Sequence, residues 1–596
     1  GCQSLDSPPR ALLFKPVRHA HGVVMVPCKG IRNIKNLITL FRLSYSVPAE
    51  PGPPRGEDPF GSNFSTHHAF RIQIRELRFQ SGKFKPHRGI QNVMPTCSLF
   101  IAVCIFLAGP LSAQQLRHPP TRPNILWLVA DDMNWDSPGC FGGVAEGVTP
   151  NIDRLAEEGL QFWQAYVNIA ICTPSRSVML TGLYPQKNGA EGFQRIRPGT
   201  PNLPSLLNAA GYLCGIIGKP LRQQELFRWS TTYRWQGTGD ENRWGRDPAV
   251  FRKFAKNFFA MANTSQQPFF LMANSHDPHR PFGGGKATRP LEERAESSRI
   301  FKPEEVRLPP ILPDLPGVRK EFADYCTSVR RLDDMVGAVL DELASAKRVE
   351  DTIVIFLADH GMPFPGAKFN CYPDSLRTSL IVRWPGTVKD GTVDETHMVS
   401  TVDLQPTILE AIGLSATKVS DGRSFLPILL GKKQTNRDVV FGQFYHIHGG
   451  DALPTYSVLT RQSAYVFNPW SNGKRRFPRL SGGAFNAMQQ AAKKNAAMAA
   501  RVKHLQYRSV EEFYNLNNDP GCLADLLDNP KSNQQLNHLR GLLREWMVQV
   551  ESPALNAFEK RKSKEALERF VQSYRERARK EVEELKPYEK ANGYRF

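Results

Sequence analysis

Two short acidic elements each close an apolar run. Residues 124–130, Asn-Ile-Leu-Trp-Leu-Val-Ala, end on Asp131-Asp132, and 352–358 end on Asp359-His360-Gly361. Apolar runs of this length, bounded by polar residues, read as buried strands of a parallel sheet. In an open α/β sheet, ligands sit in the crevice outside the carboxyl ends of the strands, so both pairs are placed to face one crevice. Carboxylates gathered there repel one another unless a divalent cation neutralises them. Such an oxygen-rich set suits Ca2+ or Mg2+, and the imidazole also admits Mn2+. Taken singly, each pair is equally compatible with a helix cap or a turn.

The elements that must position these pairs alternate along the chain. Thr149-Pro150 opens an amphipathic helix through Ala156, with proline in its first turn. Strand-like runs recur at 212–217 and 269–273, between helical patterns at 249–261 and 321–344. Alternation of this kind predicts an α/β layered fold. Residues 280–316 are rich in Pro and Gly and read as a surface excursion over one end of the sheet. Past about residue 440 the alternation weakens. A strand at 511–516, a turn at Asn518-Asp519-Pro520-Gly521 and a helix at 533–550 predict a smaller C-terminal α+β subdomain. Beyond it, Leu555, Phe558, Phe570, Tyr574, Ala578, Val582 and Leu585 recur at helical spacing among dense charge, the pattern of an amphipathic helix.

A third element is more specific. Cys172-Thr173-Pro174-Ser175-Arg176-Ser177-Val178-Met179-Leu180-Thr181-Gly182 resembles the C-x-P-S-R-x-x-x-[LM]-T-G signature of the type I, formylglycine-dependent sulfatases of the alkaline phosphatase superfamily. The resemblance spans about residues 122–550 through five separated motifs in the family's order. It implies an alkaline-phosphatase-like sandwich, with a large mixed, mostly parallel sheet flanked by helices. It also implies that Cys172 is oxidised to Cα-formylglycine, and that Asp131, Asp132, Asp359, His360 and the modified Cys172 itself hold a divalent metal, calcium first. Lys219, in Gly218-Lys219, resembles the family's first active-site lysine, and His279, in His276-Asp277-Pro278-His279-Arg280, its catalytic histidine. Lys368 stands where the family places a second basic residue. Within the family the chain is most similar to the heparan N-sulfatases, through 276–280 and Gly361-Met362-Pro363-Phe364-Pro365-Gly366. Lys368 aligns with an arginine of that subgroup, so the charge is kept but bidentate geometry is lost.

The chemistry implied is transfer of a sulfuryl group. One hydroxyl of an aldehyde hydrate attacks sulfur, and the second collapses to the aldehyde and expels sulfate, an exit that a thiolate adduct lacks. Asp359 would activate the attacking hydroxyl, while Arg176, Lys219 and Lys368 would hold sulfate oxygens or orient the hydrate. His279 would act as general acid toward the leaving oxygen or nitrogen, and His276 would be structural. One departure bears on turnover. The family has G-K-x-H where this chain has Gly218-Lys219-Pro220-Leu221, so the histidine expected to take a proton from the second hydroxyl is missing.

Bulk composition carries little of this. The chain has 596 residues, 77 Lys and Arg against 57 Asp and Glu, and a formal charge of +20. Residues 1–93 hold 14 Lys and Arg against 5 acidic residues, and 559–596 hold 12 against 8. The basic excess is therefore largely terminal, and no nucleic-acid-reading motif accompanies it. Residues 94–113 join a short apolar core to small residues, the pattern of a secretory leader rather than a membrane span. The expected layout is an extension over 1–93, translation starting at Met94, a leader over 94–113 and a catalytic domain over 120–445. A C-terminal subdomain over 446–553 and a charged helical tail over 554–596 complete it. The product would be secreted or periplasmic, with no stable membrane insertion. Its partners would be a sulfated carbohydrate and the enzyme that generates formylglycine. Cys140, Cys172, Cys214, Cys326, Cys371 and Cys522 follow the leader without a CxxC pair, so no zinc ribbon is expected. Two alternatives stand beside the sulfatase reading. One is a phosphonate or phosphodiester hydrolase of the same superfamily; the other is a secreted polyanion-binding protein that has lost turnover.

Overall fold

The computed structural model describes residues 122–219, 224–233, 245–283, 295–447, 451–478 and 480–591. The expected extension over 1–93, the leader over 94–113 and Leu221 lie outside the described residues, as do the side chains of Val582 and Leu585.

Nine strands form the main sheet. They are β1 (Asn124–Asp131), β2 (Leu160–Tyr166), β3 (Leu213–Gly218), β4 (Thr231–Tyr233), β5 (Phe269–Pro278), β6 (Thr352–Ala358), β7 (Arg377–Arg383), β8 (Thr392–Asp394) and β9 (Val399–Ser400). Their order is β4-β3-β5-β1-β6-β7-β2-β8, with β9 also on β2. From β4 through β6 neighbouring strands are parallel, and β7 enters antiparallel to both β6 and β2. The sheet is thus mixed and mostly parallel, as expected.

β1 shows why an uninterrupted apolar run is needed at the centre. Ile125, Trp127 and Val129 enter one buried cluster, while Leu126, Leu128 and Ala130 enter the cluster on the other face. A strand covered on both sides leaves no position for a polar alternate. On the second face lie helices Pro150–Glu157, Pro248–Ser265 and Pro316–Ser345; the first face carries Cys172–Thr181, Leu203–Ala209 and Leu404–Ala411.

A second, antiparallel sheet follows: β10 (Val440–Ile447), β11 (Asp451–Leu459), β12 (Ser463–Phe467) and β13 (Glu511–Asn515), paired in that order. The expected boundary at 445/446 falls inside β10. Phe444, Tyr456, Tyr465 and Phe513 share one buried cluster with Trp127 and Val178, so this sheet is fused to the main core. Helix Lys564–Ala591 joins the same cluster through Leu567, Val571 and Tyr574. Among the described residues no helix is long and apolar enough to cross a membrane.

Candidate active site

The register of β1 against β6 builds the centre of the site. Ala130 pairs with Ala358, so the next residues on each strand, Asp131 and Asp359, emerge side by side. The Asp359 amide donates to the Ala130 carbonyl at 3.0 Å, and the Asp132 amide donates to Asp359 Oδ1 at 3.1 Å. Successive side chains on a strand point to opposite faces. Asp132 escapes that rule because its backbone is left-handed, φ 65°, and so Asp131 and Asp132 both face the crevice. Gly361 closes the second element; a Cβ there would overlap the Asp374 carbonyl.

Helix Cys172–Thr181 brings the signature residues. All ten of its side chains are buried, and Gly182 ends it in the left-handed region, φ 63°. Cys172 and Arg176, four residues apart, share a helix face. Cys172 Sγ lies 3.9 Å from Asp132 Oδ1 and 3.7 Å from Lys368 Nζ. Arg176 donates from Nε to Asp359 Oδ2 at 2.9 Å and from Nη1 to Asn274 Oδ1 at 2.6 Å. From the end of β3, Lys219 pairs with Asp131, held in place by its own amide on the Asn274 carbonyl. Gly218 permits this approach: its φ is 80°, and a Cβ would strike that carbonyl. Lys368 Nζ reaches both Asp132 oxygens, at 2.6 and 2.7 Å.

Two imidazoles complete the arrangement. His360 Nδ1 is 3.0 Å from the Gly361 carbonyl and His279 Nδ1 is 2.6 Å from the Arg280 carbonyl. A carbonyl only accepts, so both rings carry their proton on Nδ1 and present Nε2 to the site. His360 Nε2 stands 3.2 Å from Asp132 Oδ1, and His279 Nε2 stands 3.6 Å from Asp132 Oδ2. His360 is fully buried, whereas the His279 ring is 38% exposed.

Three buried carboxylates face three permanent cations, Arg176, Lys219 and Lys368, and two imidazoles. Burial would raise the Asp131 pKa, but Lys219, His279, Arg176 and Lys368 together hold it well below the carboxylate range. At Asp359 burial wins over His360 and Arg176, and its pKa is raised. His360 goes up to about 9: burial opposes the charge, but Asp359 and Asp132 outweigh it. Burial lowers the His279 pKa against the opposing pull of Asp132.

The donor set fits a divalent metal. Donor atoms of Asp131, Cys172, Asp359 and His360 lie within 4.8 Å of one another, as do those of Asp131, Asp132, Cys172 and His279. Asp131 Oδ1 and His360 Nε2 are buried with no hydrogen-bond partner. Orphaned buried ligand atoms aimed at a cluster of hard oxygens are what a bound cation satisfies. The two carboxylates Asp131 and Asp359, with His360 oriented through Nδ1 and able to give up its Nε2 proton to a cation, make up the core of that set.

All nine residues expected from the sequence therefore meet at one place. Several partners were not anticipated. Asn274 bridges Arg176 and Lys219, and Ser175 Oγ donates to the Asp359 carbonyl at 2.6 Å. Asp277 is buried between Arg331, which donates to it at 2.6 and 2.8 Å, and Arg246, which also donates to the His279 carbonyl at 3.0 Å. The polar end of β5, Asn274-Ser275-His276-Asp277, was the available signal: an apolar strand that turns polar where the site begins. His276 belongs to neither ligand cluster; its amide donates to the Gly245 carbonyl at 2.7 Å. None of the described cysteines is joined in a disulfide.

Comparison with known proteins identifies the family. The family described as Sulfatase matches residues 123–414, and the one described as N-sulphoglucosamine sulphohydrolase, C-terminal, matches 366–466. Human N-sulphoglucosamine sulphohydrolase is 31% identical over 474 residues, covering 72% of this chain and 91% of the human protein. The solved structure of a 2-O GAG sulfatase superposes with a TM-score of 0.55 at 20% identity, covering 72% of this chain and 93% of that one. The phosphonate monoester hydrolase of Agrobacterium radiobacter superposes with a TM-score of 0.54 at 17% identity, covering 72% and 96%. Those two likenesses concern the fold alone. The family matches and the human relative go further: this chain belongs to the sulfatase family.

Proposed function

We propose that this sulfatase removes the sulfuryl group from a sulfated carbohydrate, with an N-sulfated amino sugar as the preferred substrate class. The observation that carries this reading is the relative named N-sulphoglucosamine sulphohydrolase, 31% identical across 91% of its length. The match of residues 366–466 to the C-terminal region of that same group supports it.

In this reading Cys172 is converted to Cα-formylglycine by a maturation enzyme, and its hydrate supplies the nucleophile toward sulfur. A divalent cation, calcium first and Mn2+ or Mg2+ next, held by Asp131, Asp132, Asp359 and His360, would lower the pKa of a hydroxyl and offset sulfate charge. The chain's own groups do the rest. Lys219, Lys368 and Arg176 already stand against the three carboxylates, and an arriving sulfate gives their N–H groups new acceptors. Asp359 accepts a proton from the attacking hydroxyl. His279 keeps its proton on Nδ1 and its Nε2 open, neutral while desolvation dominates. The negative charge of the substrate raises its pKa, so the ring takes up a proton on binding and delivers it from Nε2 to the leaving nitrogen or oxygen. Export through a leader at 94–113 would bring the protein to extracellular polysaccharide.

Turnover of N-sulfoglucosamine, an O-sulfated glucosamine and an aryl phosphonate monoester tests the reading. Fastest release of sulfate from the sulfamate supports it. Preference for the O-sulfate changes the linkage, and faster phosphonate hydrolysis overturns it.

A further inference from the structure

Lys368 is the one cation of the site that no strand end or helix holds. It lies on the segment between His360 and Tyr372, yet its ammonium meets both Asp132 oxygens. Asn370, buried two residues on, fixes that stretch of backbone: its Nδ2 donates to the Lys368 carbonyl at 3.0 Å and to the Ala367 carbonyl at 3.1 Å. Its Oδ1 accepts from Arg508 Nη2 at 2.7 Å, while Arg508 Nη1 donates to Tyr372 Oη at 2.8 Å. The planar guanidinium meets the two acceptors from two different nitrogens, a fork that a lysine's single nitrogen does not offer.

Arg508 caps the C-terminus of helix Ala496–Tyr507, three residues before β13 begins. It is buried, and its guanidinium lies 5.0 Å from the Tyr372 ring centroid. Behind it stands Glu512, fully buried, which accepts from Asn468 Nδ2 at 3.1 Å, from Tyr514 Oη at 2.9 Å and from Tyr372 Oη at 2.5 Å. His504 Nε2 lies 3.7 Å from the same carboxylate. Arg508 and Phe369 both adopt left-handed backbone, φ 53° and 69°. Residues without glycine's freedom stay there only where their surroundings over-determine them. Phe369 is further pinned by its amide on the Ala170 carbonyl, two residues before Cys172.

We propose that Arg508, acting through Asn370, is a positioning residue that sets where the Lys368 ammonium stands. The turn that leads from helix Ala496–Tyr507 into the small sheet thus completes the anion-gripping side of the site. This rests on the proposed function only in giving Lys368 an oxyanion to hold.

The test is a double-variant cycle on the full chain with calcium present, read by calorimetric binding of inorganic sulfate and, in parallel, by kcat/KM. Arg508→Met and Asn370→Ala should each weaken sulfate binding by about 10–100-fold. Lys368→Ala should do at least as much. Adding Arg508→Met or Asn370→Ala to Lys368→Ala should then cost nothing further, because the residue they position is gone. Single variants that bind like wild type overturn the proposal. So do losses that persist undiminished in the Lys368→Ala background, the mark of general damage. If Arg508→Met does not fold, the Asn370 arm decides alone. Coupled sulfate binding without sulfamate or sulfate-ester turnover sinks the proposed function only, whereas turnover without coupling sinks the positioning role only. A wild type that binds no sulfate overturns the positioning role outright.

Discussion

The site has two halves held by different means. Asp131, Asp132, Asp359 and His360 ride on the ends of two adjacent strands, and the β1–β6 ladder sets their spacing. Lys368 lies on a connecting segment and His279 just where β5 gives way to one, and side chains from distant elements hold them: Arg508 and Asn370 for the first, Arg246, Asp277 and Arg331 around the second. A ladder fixes many backbone atoms at once, so the strand-borne half is insensitive to single side chains outside it. The loop-borne half depends on a few buried hydrogen bonds, each removable by one substitution. The half that would bind metal is therefore the rigid one, and the half that would choose the substrate is the adjustable one.

Cys172→Ala should have the largest effect. It removes the nucleophile and should lower kcat by about 10⁴-fold or more, with the far-UV spectrum and unfolding midpoint unchanged. Residual turnover near wild type would separate the signature from the chemistry.

His279→Gln comes next, and it probes the loop-borne half. Loss of a general acid should cost about 10²–10⁴-fold in kcat on a sugar sulfamate. The loss should be much smaller on an aryl sulfate with a good leaving group, which needs no proton. Equal losses on both substrates would remove the acid role.

Arg176→Met tests the strand-borne half through stability. It leaves Asp359 buried and short of a counter-charge, so urea unfolding should show a loss of about 3–5 kcal/mol. Little change would mean that the carboxylates are balanced some other way.

The smallest effect should come at the root of the Lys368 anchor. Burial raises the Glu512 pKa, but hydrogen bonds and charge from His504, Arg508 and Tyr372 bring it down to about 2 from 4.5. A carboxyl lowered by folding contributes its stability above the unfolded value and loses it as pH falls toward the folded one. The advantage of wild type over Glu512→Gln, about 3 kcal/mol near neutrality, should therefore shrink between pH 4.5 and 2. A gap that stays constant over that range would contradict the pairing.

The nine site residues could be read from sequence, but the side chains that hold them could not. The strand-borne carboxylates were legible because burial on both faces forces an uninterrupted apolar run, so the first charged residues after it mark the strand end. The Cys172 segment was legible because its spacing is dictated by chemistry. Asn274, Arg246, Arg331 and Arg508 were not: Arg508 meets Asn370 across 138 residues, and Arg331 meets Asp277 across 54. No local pattern encodes such pairings, and an arginine bound for a core looks like any surface arginine until the chain is folded. The fusion of the small sheet to the core was hidden for the same reason. β10 begins before the alternation visibly changes, so the expected boundary cut through it.

The central claim is that the buried residue beside the carboxylate cluster is a formylglycine rather than a thiol. Peptide mass spectrometry across residues 165–195 of the native protein tests it most directly. The account predicts an aldehyde, with its hydrate, at position 172. A fully unmodified Cys172 in native material would contradict it.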